Sequence, residues 1–142
     1  MTAEIDFSQL VGAIGDAVIV ADPGGNIAYW NPAATRIFGF SEAEALGRSL
    51  TLITPDRLRQ RHDVGFNRSM ETGTTRYGTT LLKVPALHKD GRTLSIAFTV
   101  GMLFDEAGKV SGVAAVIRDE TARFNEDREL RKKLAALETQ SG

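Results

Sequence analysis

The feature that most limits how this chain can fold is an alternation in its second half. Leu94, Ile96, Phe98, Val100, Met102 and Phe104 are large and apolar, and Ser95, Ala97, Thr99 and Gly101 stand between them. A period of two places the large side chains on one face of a strand and the small ones on the other. Before this stretch, Tyr77 to Ala86 reads as a strand, joined through His88-Lys89-Asp90-Gly91, and Pro85 puts part of it at an edge or a bulge. After it, Asp105-Glu106-Ala107-Gly108 turns the chain into a further strand from Val110 to Ile117. These three segments form a meander.

The first half supplies a hairpin and then helices. Ala17 to Ala21 is a continuous apolar run, Asp22-Pro23-Gly24-Gly25-Asn26 is turn chemistry, and Ile27 to Trp30 is the returning arm. Asn31 caps a helix that opens on Pro32 and stops at Gly39. Ser41 with Glu44 is a capping box for a second short helix, closed by Gly47. A long helix is expected from Pro55 to Gly73, with Thr54 as its cap. On it Leu58, His62, Phe66 and Met70 recur every four residues and share one face, while Arg57, Arg59, Asp63, Asn67 and Arg68 occupy the others. The stripe must face the interior, which sets an imidazole among apolar neighbours. A pair of strands, then helices, then a meander implies an α+β domain with an antiparallel sheet.

Ile5, Leu10, Val11 and Ile14 suggest a short amphipathic helix at the start, capping the core or contacting a second copy. Thr121 to Thr139 reads as a charged helix on which Leu130, Leu134 and Leu137 follow a four–three spacing. That spacing suits a coiled-coil seam or a helix packed on its own domain. The expected division is therefore a cap helix over 1–14, one domain over 15–120 and an output helix over 121–142.

The 142-residue length is one domain's worth, and the net charge of −1 argues against partners recruited by bulk charge, such as nucleic acid or membrane surfaces. Arg128, Arg131, Lys132 and Lys133 are interleaved with Glu126, Asp127 and Glu129, so that face is mixed in sign. The chain has no cysteine, which removes disulfides, thiolate metal sites and thiol nucleophiles and fits a cytoplasmic setting. No apolar run approaches the ~20 residues of a membrane span, and the start lacks a basic signal region. No Gly-rich phosphate loop is present, and His62 and Asp63 diverge by ~100° on a helix and make no dyad, so binding is expected rather than catalysis.

Three landmarks together resemble one family. YWNPAATRIFGFSEAEALG (29–47) is similar to the strand–Asn–helix segment of PAS domains, KDGRTLSIAFTV (89–100) to the hairpin after their ligand helix, and IRDETARF (117–124) to their Asp-x-Thr ending. The resemblance covers about residues 8 to 125. It implies a PAS fold: a five-stranded antiparallel sheet in the order 2-1-5-4-3, helices on one face, and a pocket between the sheet and the long helix. It also implies a sensory role, through a small ligand, a cofactor or dimerisation.

Within that family, RHDVGFNRSMETG (61–73) is similar to the long helix of haem-PAS oxygen-sensing histidine kinases. That resemblance puts His62 at the axial haem ligand, Arg68 and Arg76 near the propionates, and Phe98 and Val100 on the distal side. Leu82 replaces the distal arginine of that group, so an oxygen-specific response is not implied, and Tyr77 is the nearest alternative polar group. Phe66 would line the same pocket.

Each residue also has a plainer role. His62 can be a satisfied core histidine, Arg68 and Arg76 solvated charges, and Phe66, Phe98 and Val100 ordinary core. A photoreactive flavin domain of the light–oxygen–voltage type needs a cysteine and is excluded, whereas a redox flavin or another small metabolite stays open. The expected partners are a small molecule, a second copy of the chain and an effector protein. The competing expectation is a ligand-free dimerisation module.

Overall fold

The first hairpin is set by one carboxylate. In the computed structural model, which describes residues 4–74 and 80–141, Asp22 Oδ1 accepts hydrogen bonds from the backbone N–H groups of Gly24 and Asn26. This closes the turn between β1 (Ala17–Ala21) and β2 (Ile27–Trp30). A short helix, α1 (Phe7–Ala13), precedes them and is capped by Asp6.

The cap expected at Asn31 is present. Its side chain accepts from Ala34 N–H at the start of α2 (Pro32–Phe38), which ends on Gly39 with φ of 84°. The capping box of Ser41 and Glu44 is formed on α3 (Glu42–Ala45). Two 3₁₀ turns, Leu50–Ile53 and Asp56–Leu58, lead into α4 (Arg59–Thr72), which stops at Gly73. β3 (Leu82–Leu87), β4 (Thr93–Phe104) and β5 (Val110–Asp119) form the meander, and α5 (Thr121–Ser141) follows at once.

The five strands form one antiparallel sheet in the order β2-β1-β5-β4-β3. Pro85 lies within the edge strand β3, where its missing N–H removes nothing from the ladder interior. Register aligns the inner face into rows. Leu82, Phe98, Ile117 and Ala17 lie side by side, and next to them run Val100, Ala115, Ile19 and Trp30. A third row holds Met102, Val113, Ala21 and Ile27.

These rows are not covered evenly. Ala17, Ile19, Ile27 and Trp30 are buried together with Ala34 and Phe38 of α2 and Ala45 of α3. Trp30 packs on Phe38 and Phe40, and its indole N–H donates to Thr35 Oγ1 and the Phe40 carbonyl. By contrast Phe98, Val100, Met102, Val113 and Ala115 are only half-buried. The sheet thus has a tightly packed end and a loosely covered one.

The long helix differs from expectation at its start. Pro55 is extended, with ψ of 143°, and precedes a 3₁₀ turn instead of opening the α-helix. The Thr54 hydroxyl donates to the Leu50 carbonyl and closes the preceding turn, and the helix begins at Arg59, four residues after Pro55. There the Arg59 guanidinium holds the junction by donating to the Thr54 carbonyl and pairing with Asp56 at 2.8 Å. The strand expected from Tyr77 is described only from Leu82, and residues 75–79 lie outside the described residues.

Candidate functional site

Two anchors hold α4 against the rest of the chain. Near its middle, the Phe66 ring lies 3.5 Å from where a Cβ on Gly25 would stand, so α4 rests against the β1–β2 turn at ordinary contact distance. At its end, Gly73 meets Val110 and Phe104 of the β4–β5 hairpin in the same way, at 3.6 and 3.8 Å. Both contacts lie at the same end of the sheet, because Ala21 beside the β1–β2 turn pairs with Val113 beside the β4–β5 hairpin.

The stripe is the less exposed side of α4, but none of it is buried, and His62 lies among glycine and polar neighbours with Phe66 instead of the apolar surroundings expected. Leu58, His62, Phe66 and Met70 are half-buried, while Arg57, Asp63, Asn67 and Arg68 are exposed. The His62 side chain is 33% exposed, and contrary to the expected divergence its Nδ1 lies 3.4 Å from Asp63 Oδ1, because the two side chains bend toward each other. Its ring stacks near Phe66 with centroids 6.2 Å apart and planes inclined by 20°. With Gly24, Gly25, Ser49, Asp63, Phe66 and Asn67 it borders a cleft of ≈ 250 Å³.

Several expected site residues come together and others do not. Leu82 and Phe98 are direct cross-strand neighbours, and Val100 follows Phe98 on the same face. His62 is on the opposing helix, in the cleft by the β1–β2 turn. Arg68 is exposed on α4. Arg76 and Tyr77 lie outside the described residues. The glycines of the first turn and Ser49 were missed as neighbours of His62. Their local signal is that of a turn, and only the long-range closure of α4 on that turn reveals the contact.

Two further clusters flank the site. Asp119 Oδ1 accepts from the Thr121 N–H and the Thr121 hydroxyl, whose oxygen in turn accepts from Ser95 N–H at 3.0 Å. The Glu120 N–H donates to the Ser95 carbonyl at 2.8 Å. The start of α5 is thereby clasped to β4, three residues from Phe98. On the outer face of the sheet, Asp16, Leu81, Ala97, Thr99, Val116, Arg118 and Glu120 line a second cleft of ≈ 200 Å³. Its Arg118 donates to Asp16, and that carboxylate raises the guanidinium pKa.

The family model described as the PAS fold matches residues 5–119. The chain belongs to the PAS family. It is 36% identical over 128 residues to an uncharacterised protein of Azorhizobium caulinodans, covering 89% of this chain and 17% of that protein. It is 30% identical over 120 residues to the sensor protein FixL of Bradyrhizobium diazoefficiens, covering 84% of this chain and 23% of FixL. A PAS domain from Colwellia psychrerythraea superposes with a TM-score of 0.71 at 22% identity, covering 82% of this chain and 95% of that one. The PAS chain thus spans a quarter or less of the length of these two relatives, and its sheet order is the one that the sequence resemblance implies.

Proposed function

We propose that this PAS domain is the ligand-binding sensory module of a signal-transduction protein. It would hold a small apolar ligand or cofactor between α4 and the inner face of β4 and β5. The observation that carries this reading is the half-burial of Phe98, Val100, Met102 and Ala115, beside a core in which Ile19, Trp30 and Phe38 are all but sealed. Natural interiors pack to crystal density, so a row of large apolar residues left half-covered on the inner face of the sheet leaves room for another apolar body. Occupancy would press on Phe98 and Val100, and the Ser95–Thr121 clasp would carry the displacement into α5. The reading is a binding role without catalysis, in a cytoplasmic setting, with an effector protein downstream.

Haem is the cofactor to test first, supported by the resemblance of residues 61–73 to the long helix of haem-PAS sensors. The donor chemistry fits. His62 is the imidazole on the less exposed stripe, and Asp63 beside its Nδ1 is the type of carboxylate partner that orients a ligating histidine. Haem would supply an iron able to bind a diatomic gas, and Phe66, Leu82, Phe98 and Val100 would supply apolar walls. Arg68, and Arg76 and Tyr77 in the segment that follows, would supply the polar contacts. Purified protein should show a Soret band, as isolated or after haem addition, that is lost in His62→Ala. A protein that stays colourless after haem addition refutes the haem reading. Screening other small molecules for an increase in Tm then tests the ligand reading itself, which fails if none stabilises.

A second reading, a ligand-free interaction module, is favoured by Ile5, Phe7 and Leu10 of the N-terminal segment, which are 63%, 69% and 48% exposed. Apolar side chains in such numbers on one short segment suit a protein partner.

A further inference from the structure

The cleft of ≈ 250 Å³ beside the β1–β2 turn differs in chemistry from the half-covered rows of β4 and β5, and none of their residues lines it. Its α4 side consists of two rows, because residues four apart on a helix are neighbours on one face. One row is aromatic, His62 and Phe66, with ring planes inclined by only 20°. The other is polar, Asp63 and Asn67. The opposite wall includes Gly24 and Gly25, which bring backbone and no side chain to the cleft.

Charge and hydrogen bonding define what fits. Among the described residues the lining holds one carboxylate, Asp63, and no lysine or arginine. A phosphate or carboxylate ligand would meet that charge with nothing to neutralise it, so the cleft selects against anions. Asp63 Oδ1 lies 3.4 Å from His62 Nδ1, at the long limit of a hydrogen bond, and its Oδ2 has no partner among the described residues. The Asn67 carboxamide has no partner among them either. Ser49 differs, since its oxygen already accepts from the N–H and the hydroxyl of Thr51. The open groups are a carboxylate acceptor and, one helical turn on, an amide that donates.

We infer that this cleft is a second binding site, for an uncharged planar amino-keto heterocycle of the guanine or pterin class. Such a ring carries a ring N–H, an exocyclic amino group and a carbonyl along one edge. The ring stacks on Phe66 with its plane parallel to His62. The ring N–H and the amino group donate to Asp63 as a fork, and the carbonyl accepts from the Asn67 amide. The other face of the ring lies against the bare backbone of the glycine turn. The volume is below that of pockets for drug-sized molecules and suits a single bicyclic ring, with any sugar left outside. Occupancy ties α4 to the turn at a second point, beside the contact of Phe66 with Gly25.

The test is a titration of the 142-residue chain followed by backbone amide NMR. Guanosine should shift the amides of Gly24, Gly25, Asp63 and Asn67. Pterin is the second arm, and the tighter binder of the two tells whether the ring comes from a nucleoside or a pterin. Inosine lacks the amino group and should bind about tenfold more weakly than guanosine. Adenosine turns a ring-nitrogen lone pair toward Asp63 and should not bind. Guanosine monophosphate should bind no more tightly than guanosine. Asp63→Asn should weaken guanosine by about tenfold or more, and Asn67→Leu by a smaller factor. Both side chains are exposed, so the rest of the spectrum should be unchanged in either variant. The inference is overturned if neither guanosine nor pterin moves those four amides up to its solubility. Adenosine binding as well as guanosine, tighter binding of the monophosphate, or an affinity indifferent to Asp63→Asn overturns it too. None of these outcomes touches the ligand reading, which rests on Phe98, Val100, Met102 and Ala115, and the variants spare His62 and Phe66, which the haem reading uses.

Discussion

Replacing Asn31 by alanine should lower stability by about 2–4 kcal/mol, which is large for one polar side chain. The magnitude follows from its partners. Asn31 is 1% exposed, and its Oδ1 accepts from Val18 N–H at 2.9 Å and Ala34 N–H at 3.0 Å. Its Nδ2 donates to the carbonyls of Val11 and Asp16, each at 3.1 Å. Loss of the α2 cap costs about 1 kcal/mol. Stranding the N–H of buried Val18 costs about 1–3 kcal/mol more. The two carbonyls belong to half-buried residues and can be hydrated, so their loss adds little. Urea unfolding followed by Trp30 fluorescence reads the effect. With a denaturant slope of about 2 kcal/mol/M the midpoint should fall by about 1–2 M. Asn31→Asp separates the two halves of the amide, because it keeps the acceptor for Val18 and Ala34 but turns an oxygen toward two carbonyls. Hydrogen exchange in that variant should show α1 released while α2 stays capped. A midpoint shift under about 0.5 M for Asn31→Ala would refute the reasoning.

Gly39→Ala should destabilise by more than ~2 kcal/mol, since φ there is 84° and a Cβ would stand 2.5 Å from His88 Cε1. A double-mutant cycle with His88→Ala should recover part of that loss, and strict additivity would count against the clash. Glu44 is held at a pKa of about 2, first by the hydrogen bond from Lys89 and then by the Ser41 backbone N–H. Its folded pKa lies below the unfolded value of 4.5, so its contribution is whole above about pH 4.5 and is lost as pH falls through about 2. The difference in Tm between wild type and Glu44→Gln should accordingly vanish at the acid end, and a pH-independent difference would oppose this. Thr121→Val should remove the bond from Ser95 N–H, cost about 1–2 kcal/mol and raise hydrogen exchange in the first turn of α5. Unchanged exchange there would mean the clasp does not hold the helix. Gly112→Ala would drive a Cβ to 2.7 Å from the Ala21 carbonyl, and lost dispersion of the β1–β5 amide resonances is expected by NMR.

Local chemistry in the sequence determined most of the architecture. The alternation from Leu94 to Phe104 gave β4, Asp22-Pro23-Gly24-Gly25-Asn26 gave the first turn, and Asn31, Ser41 and Gly39 marked helix ends, because each acts through neighbours a few residues away. The same holds for the four-residue stripe on α4, whose place on the less exposed side followed from its spacing. What required the tertiary structure is whatever depends on distant closure. The helix opened at Arg59 instead of Pro55, with the Arg59 guanidinium donating to the Thr54 carbonyl. His62 was brought beside Gly24, Gly25 and Ser49, and the sheet was sealed at Trp30 but left half-covered at Val100. A sequence fixes which side of an element is apolar. How closely two apolar sides meet depends on the lengths and anchors of everything between them, and only the assembled chain decides that.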